Sequence, residues 1–445
     1  MYEVRGIAIE GNDRTRAVVI EREVPFSVGD SISAEDFQTL SAEIVRNLTN
    51  TSLFNFVEVE FIQNLSQQVV CLIKVDERWY IWPGIIFSLA ETNIHTWWQN
   101  KDPERINFGF YLQDFNFRGR REKLQLNFQY GWKRKVGLNY QIPGLNRKRT
   151  LGGGLEIYYA NNREINHRMA YEPDSVFNTR DFLKARHFIQ EEFIVNSKLE
   201  YRPRFLSTHR FIAGVHTVSV DDTVVIANPD YLPRGKTRSQ YIFLSYGYKL
   251  EKRDNRAYPL HGYLIDASLD QTGLGLLRQN DVVLTELLAT VNSHHQLADR
   301  WYFGHGIKTK TTLYGSPPYY FQRGLGYGNN YVRGYELFVI DGQHYFLYRS
   351  NVKYALVKKH IIDFNLPVFK KFDKLHYSAY LNMFGDAGYV ADRINAATNP
   401  LANQLIYSVG LSLDVVTYYD LVVRFEGSVN KEGKPAFFIN FQNPI

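Results

Sequence analysis

The residues of this 445-residue chain best placed for a specific chemical act are an arginine and an aspartate 53 positions apart. Arg333 lies in Val332-Arg333-Gly334-Tyr335-Glu336, and Asp386 in Phe384-Gly385-Asp386-Ala387-Gly388. A planar guanidinium can bind a carboxylate through two parallel hydrogen bonds, so the act would be holding rather than bond-making. Side chains around Asp386 alternate as on a strand. Ser378, Tyr380, Asn382, Phe384, Asp386 and Gly388 share one face, and Leu381, Met383 and Ala387 the other. Asp386 therefore points to a polar side, where Gly388 leaves room for a backbone to approach. Arg333 comes from a long Gly-, Tyr- and Pro-rich stretch, residues 313–343, which follows neither strand nor helix periodicity. Long connections of this kind are functional or disordered, and this one carries too many aromatic residues for disorder.

Other reactive groups point to no catalysis. There is no GxSxG elbow, P-loop or HExxH motif. His294, His295 and His305 sit near expected strand ends without a third ligand at a metal-binding spacing, so neither a metal nor a cofactor is expected. The single cysteine, Cys71, excludes an internal disulfide and any cysteine-based zinc site. It falls in the alternation Val69, Cys71, Ile73, Val75 and reads as core.

The elements that would position these residues are mostly strands. Mean hydropathy is −0.32, and no apolar run approaches the roughly 20 residues of a membrane helix. A membrane barrel is still allowed, because its strands alternate and are not hydrophobic on average. The 31 Tyr and 30 Phe suit the aromatic girdles that barrels place at both membrane interfaces. From Trp79 onward, period-2 segments recur without a convincing helix. Leu124, Leu126, Phe128 and Tyr130 alternate with Lys123, Gln125, Asn127 and Gln129, and Leu405, Tyr407, Val409, Leu411 and Leu413 alternate with Ser408, Gly410, Ser412 and Asp414. Such strands need a different solvent on each face, and no second apolar face is available to make a sandwich. The expectation is an antiparallel transmembrane barrel of about 16 strands, its first strand near residues 80–90 and its last near 435–442. Residues 161–181 are expected to form a polar loop.

Residues 1–78 differ. A strand at 2–10, a short helix at 15–23, a helix carrying Phe37, Leu40, Ile44, Val45 and Leu48 on one face, and strands near 56–62 and 68–77 give the order β-α-α-β-β. Ser33-Ala34-Glu35-Asp36 has the spacing of a capping box for the second helix. This segment holds 7 Lys/Arg and 13 Asp/Glu, a net of −6, against +12 for the remainder. The basic residues are scattered among strands with no basic helix or zinc finger, which excludes a nucleic-acid partner.

With these elements in place, the chain resembles the BamA/TamA-type outer-membrane assembly family, which pairs POTRA domains with a 16-stranded surface-antigen barrel. The N-terminal segment (Ile7 to Asn12, Arg14-Thr15, Val19-Ile20, Arg22-Glu23, Gly29-Asp30, Leu53-Phe54, Val57) looks like a POTRA domain. Arg253-Asp254-Asn255 with Pro259 and Gly262 is similar to a mid-barrel turn of the family, and the Val-Arg-Gly-Tyr loop and Phe-x-Asp-x-Gly strand resemble its paired signature. Glu77-Arg78-Trp79-Tyr80-Ile81-Trp82-Pro83 looks like the junction of short, single-POTRA members from Bacteroidetes-type bacteria. The resemblance implies a POTRA-like periplasmic domain over 1–78 and a barrel over 79–445, with loop 313–343 in its lumen. It implies that Arg333, Gly334 and Tyr335 are anchored on Phe384, Asp386 and Gly388. Lys353 stands where the family usually has a second acidic partner. By strand parity it faces the lumen beside Arg349, so that the anchor would be shared among cations or draw on Glu336 or Asp341.

The function so implied is assembly and insertion of outer-membrane proteins by strand addition at the barrel seam and the POTRA domain, in the outer membrane of a Gram-negative bacterium. The partners would be outer-membrane lipid and lipopolysaccharide, unfolded outer-membrane protein clients, and periplasmic or lipoprotein partners bound through the POTRA domain. A secretion or lipid-translocation pore on the same scaffold, or the anchor of a patatin-like enzyme with a missing upstream domain, are the alternatives. A secreted barrel needs a signal peptide and none is visible, so a mature or trimmed chain is expected. The end, Phe441-Gln442-Asn443-Pro444-Ile445, is not aromatic, which would shift an assembly signal to Phe441.

Overall fold

A computed structural model describes residues 1–89, 105–146, 148–169, 180–276, 282–363, 374–417 and 421–442. The expectation about residues 443–445 lies outside them.

The N-terminal unit contains β1 (Tyr2–Glu10), α1 (Ala17–Glu21), β2 (Ser31–Ile32), α2 (Phe37–Thr49), β3 (Phe54–Gln63) and β4 (Gln68–Glu77). Its sheet runs β2-β1-β4-β3, with β1 parallel to β4 and β3 antiparallel to it. A parallel pair needs a long crossover, which the two helices supply. Ile20, Ile44, Leu48, Phe54, Cys71 and Ile73 form the core between helices and sheet. Two details differ from expectation. A two-residue strand, β2, adds to the β1 edge. Ser33 caps only a 3-10 turn, Ala34–Asp36, and makes no side-chain cap hydrogen bond, so the capping box does not form and α2 begins at Phe37.

The remaining strands are β5 (Ile81–Leu89), β6 (Ile106–Phe117), β7 (Glu122–Gly131), β8 (Lys133–Ile142), β9 (Leu151–Asn162), β10 (Glu164–Met169), β11 (Arg180–Lys184), β12 (Gln190–Tyr201), β13 (Ser207–Val220), β14 (Arg238–Glu251), β15 (Gly262–Thr272), β16 (Leu284–Ala298), β17 (Trp301–Tyr314), β18 (His344–Asp363), β19 (Lys374–Ala391), β20 (Leu405–Val416), β21 (Val422–Asn430) and β22 (Pro435–Gln442). Sixteen of them form one antiparallel sheet in chain order from β5 to β22, with β9 paired directly to β12. Strands β10 and β11 make a separate hairpin. Part of the stretch expected as a polar loop is thus structured: it buries Ile165 and Met169 against Val218, Val224 and Leu232.

Burial follows the alternation. Phe211 and Val215, Leu287 and Val291, Leu381 and Met383, and Val409 and Leu411 are exposed, while their neighbours of opposite parity face inward. A continuous exposed apolar wall is untenable in water and suits the hydrocarbon core of a bilayer. Among the described residues no helix is long and apolar enough to cross a membrane, so the crossing is made by strands. The turns at residues 118–121, 202–206 and 252–261, and Arg149 after β8, lie on the side of the N-terminal unit, and the connection after β17 lies at the opposite end.

Candidate functional site

The connection from Gly315 to Gln343 folds into the barrel. It touches β12 through Tyr320 Oη, which donates to Glu192 (2.9 Å), and β14 through Phe321 against Tyr241. It touches β17 through Asn330, which accepts from Lys308 Nζ (2.8 Å), and the β21–β22 turn through Tyr335 Oη, which donates to Glu432 (2.8 Å). Partners on strands this far apart place the segment in the lumen. Leu325, Val332, Tyr335 and Ile340 pack there against Tyr345, Leu347, Val390 and Ile406.

Arg333 and Asp386 meet at the centre of this packing, and both are about 3% exposed. Arg333 Nε donates to Asp386 Oδ2 (2.8 Å), Nη2 donates to Oδ1 (2.6 Å), and the Arg333 backbone N–H donates to Oδ2 (3.2 Å). The guanidinium carbon also lies 3.8 Å from the centre of the Phe384 ring, so the cation is held in plane by a carboxylate and from its face by a π cloud. Gly334 takes φ +86°, where any larger residue is strained, and its N–H donates to Glu336 Oε2 (2.8 Å). Gly388 makes room, but for side chains rather than backbone: a Cβ there would lie 2.6 Å from Val332 Cγ2 and 2.8 Å from Leu325 Cδ1.

Arg349 stands directly opposite Asp386 in the β18–β19 register, and its Nε is 3.7 Å from Asp386 Oδ2. Its guanidinium also donates to the Tyr331 carbonyl. Two cations thus share Asp386. Lys353 is not one of them: its Nζ donates to the Pro259 carbonyl (3.3 Å) and sits 3.9 Å from the centre of the Tyr258 ring. Glu336 and Asp341 do not take over the Arg333 anchor either. Glu336 accepts from the Gly334 N–H through Oε2 and its carboxyl group lies against that of Glu426, and Asp341 accepts from Tyr319 Oη (2.9 Å) and from Tyr327 Oη.

The turn residues face the N-terminal unit. Arg253 makes a bidentate pair with Glu251 (2.6 and 2.7 Å), and Asp254 Oδ1 accepts from the Leu260 and His261 N–H groups (both 3.1 Å), shaping the turn that ends at Gly262. Asn50, at the end of α2, donates to the carbonyls of Arg253 (3.2 Å) and Asp254 (3.3 Å) and accepts from the Arg256 N–H (3.2 Å).

A second buried ion pair was not singled out from sequence. Asp414 accepts from Arg424 Nε (2.9 Å) and Tyr258 Oη (2.9 Å). The two residues are directly paired across β20 and β21. The signal was there, since both lie on the polar parity of consecutive strands. Among the described residues no cluster of His, Cys, Asp or Glu could hold a metal.

The comparisons agree with this architecture. Residues 116–417 match the Omp85 superfamily domain, and residues 2–78 match the POTRA model described as a surface antigen variable number repeat. The fold is similar to that of BamA from Haemophilus ducreyi lacking POTRA domains 1–3, at 16% identity and TM-score 0.52, covering 99% of this chain and 83% of that one. It is also similar to CdiB from Escherichia coli, at 9% identity and TM-score 0.56, covering 99% and 74%. No curated protein matches the chain. A 16-stranded barrel of alternating strands behind one POTRA domain, with most of its length matched by the family model, makes this chain a BamA/TamA-type member of the Omp85 superfamily, an outer-membrane assembly or secretion scaffold of Gram-negative bacteria with its POTRA domain in the periplasm.

Proposed function

We propose that the protein inserts or assembles outer-membrane proteins by adding client strands to its own sheet edges. The observation that carries this reading is the position of β5 and β22. They stand at the two ends of the 16-stranded order, and among the described residues β5 pairs only with β6 and β22 only with β21. A backbone entering lipid must satisfy every N–H and C=O, and an unpaired barrel edge offers those partners. Pro83 in β5 and Pro435 at the start of β22 each remove a ladder donor and limit pairing across the seam. In the POTRA sheet the long edge strand is β3, whose outward Glu58 and Glu60 give it an acidic rim suited to a client or partner strand.

The Arg333–Asp386 latch supports the same reading. It holds a folded segment across the lumen, so a client would be handled at the wall rather than through an open bore. The test is site-specific crosslinking from β5 during folding of a client barrel. Crosslinks to the client's terminal strand support the proposal. Their absence, together with normal outer-membrane protein levels in a deletion strain, refutes it. A large steady conductance of the purified protein in planar bilayers would favour a secretion or lipid-translocation pore instead.

A further inference from the structure

The periplasmic mouth encloses a cavity of about 250 Å³ between α1 of the POTRA domain and the barrel turns. Eight Lys and Arg residues line it, against three carboxylates, Glu23, Glu200 and Glu251. Those carboxylates are already engaged. Glu23 binds Arg202 (2.7 Å) and Arg121 (3.2 Å). Glu251 binds Arg253 (2.6 Å), Lys249 (3.4 Å) and Arg256 (3.6 Å), and Glu200 binds Lys198 (2.6 Å).

Three cations facing the cavity are left over. Among the described residues Arg22, Lys123 and Arg149 have no carboxylate within ion-pair distance. Arg22 donates to the carbonyls of Arg149 (3.4 Å) and Arg202 (3.3 Å) and lies 5.0 Å from the centre of the Phe205 ring. Arg149 donates to the Arg120 carbonyl (2.9 Å), and Lys123 rests 5.8 Å from the centre of the Phe115 ring. Burial, and then the positive charge of Arg202, pulls the Arg22 guanidinium below its ordinary range. Burial and then Arg120 do the same to Arg149. Like charges gathered around a partly desolvated space repel one another at an effective dielectric well below that of water. Glu23 offsets part of that repulsion at Arg22 and Arg149 from beyond ion-pair distance, and the fold bears the rest continuously.

We propose that this cavity is a binding site for a phosphate group. A tetrahedral phosphate carries several acceptor oxygens and matches guanidinium forks arriving from more than one direction. Arg22 comes from the POTRA domain, Lys123 from β7 and Arg149 from the β8–β9 turn, so a bound phosphate would tie the domain to two parts of the barrel rim. Liquid water takes about 30 Å³ per molecule. The cavity therefore has room for a phosphate with a few waters and none for acyl chains. A phospholipid would enter headgroup first, and a soluble phosphate would enter whole.

The test uses the full chain in maltoside micelles. Sodium phosphate and, separately, a short-chain phosphatidic acid are titrated calorimetrically at constant ionic strength. The parent protein is expected to bind at least one of them. Binding of sodium phosphate identifies a soluble source, and binding of phosphatidic acid alone identifies the lipid headgroup. Lys123→Gln and Arg149→Gln are each expected to weaken binding about tenfold or more, the usual effect of losing a charge-assisted hydrogen bond. Arg22→Gln, which lies outside the barrel, gives the same reading independently of barrel assembly. Unchanged heat-modifiable gel mobility shows that each variant is folded. No binding of either probe by the parent overturns the proposal, as does undiminished binding by the three folded variants.

Discussion

Replacing Asp386 by alanine is expected to unseat the lumenal segment while leaving the barrel wall intact. The substitution removes three hydrogen bonds to Arg333, at 2.8, 2.6 and 3.2 Å, and the carboxylate 3.7 Å from Arg349. Both guanidiniums then lie in the lumen with the Phe384 and Tyr331 rings, backbone carbonyls and the more distant Glu426 carboxyl as what remains around them. Removing one member of a buried pair costs about 3–5 kcal/mol, because the other is left desolvated and unpaired. At about 1.4 kcal/mol per tenfold, the equilibrium between seated and released segment shifts roughly a hundred- to a few-thousand-fold. When opening is fast relative to cleavage, protease digestion of the released state follows that equilibrium. Limited proteolysis within residues 315–343, applied from the outer face of intact membranes, should therefore accelerate by a comparable factor. Asp386→Leu combined with Arg333→Met, which removes both charges and keeps volume, should recover part of the loss. Parental cleavage rates in a folded Asp386→Ala protein would refute the argument that this pair holds the segment.

Gly388→Val would place a Cβ 2.6 Å from Val332 and should raise loop cleavage in the same assay, at a cost of about 1–3 kcal/mol of overpacking. Gly385→Ala is the control, since its Cβ would meet nothing closer than 3.9 Å. The Glu23 carboxyl is pushed up by burial, but Arg202 and then Arg121 outweigh that and hold it below the ordinary range. Its contribution to POTRA docking is therefore complete above an unfolded-state value of about 4.3 and is lost as pH falls through the lower folded value. Hydrogen exchange at the 202–206 turn should rise with acidification, and a Glu23→Gln protein in which that rise is undiminished would count against this assignment. Burial pushes the Cys71 thiol up to about 12, so maleimide should label it only after unfolding. Rapid labelling of the native protein would show that the POTRA core opens readily.

Much of the architecture was legible because each strand faces two solvents. A period-2 alternation reports that directly, and it located β22 at Pro435–Gln442 and the start of β5 near Ile81. The alternation also put Asp386 and Arg349 on the inner face, where they pair in register. What it did not carry was reach between distant elements. The lumenal side of Lys353 was readable from parity, but its partner, the Pro259 carbonyl, is brought near only when the 252–261 turn closes over the lumen. The Asp414–Arg424 pair needed the register of β20 against β21, which depends on the length of the turn between them. The β10–β11 hairpin was hidden because it packs on Val224 and Leu232, residues of a different connection, and not on the sheet that precedes it. The Ser33 pattern failed for a local reason: a 3-10 turn intervenes, and the α-helix starts four residues later.

The grip of the barrel on the POTRA domain has a mechanical consequence. Arg14 reaches Asp114 on β6, Glu23 reaches Arg121 and Arg202 on two different turns, Asn50 clasps the turn beginning at Arg253, and Phe56 meets His376 on β19. Supports that do not lie on one line remove a rigid body's freedom to tilt as well as to slide. The domain thus acts as a strut across the rim, setting the spacing of the turns it touches. Any widening of the barrel cross-section would pull those turns apart, so the rim could not spread without loosening at least one foot of the strut.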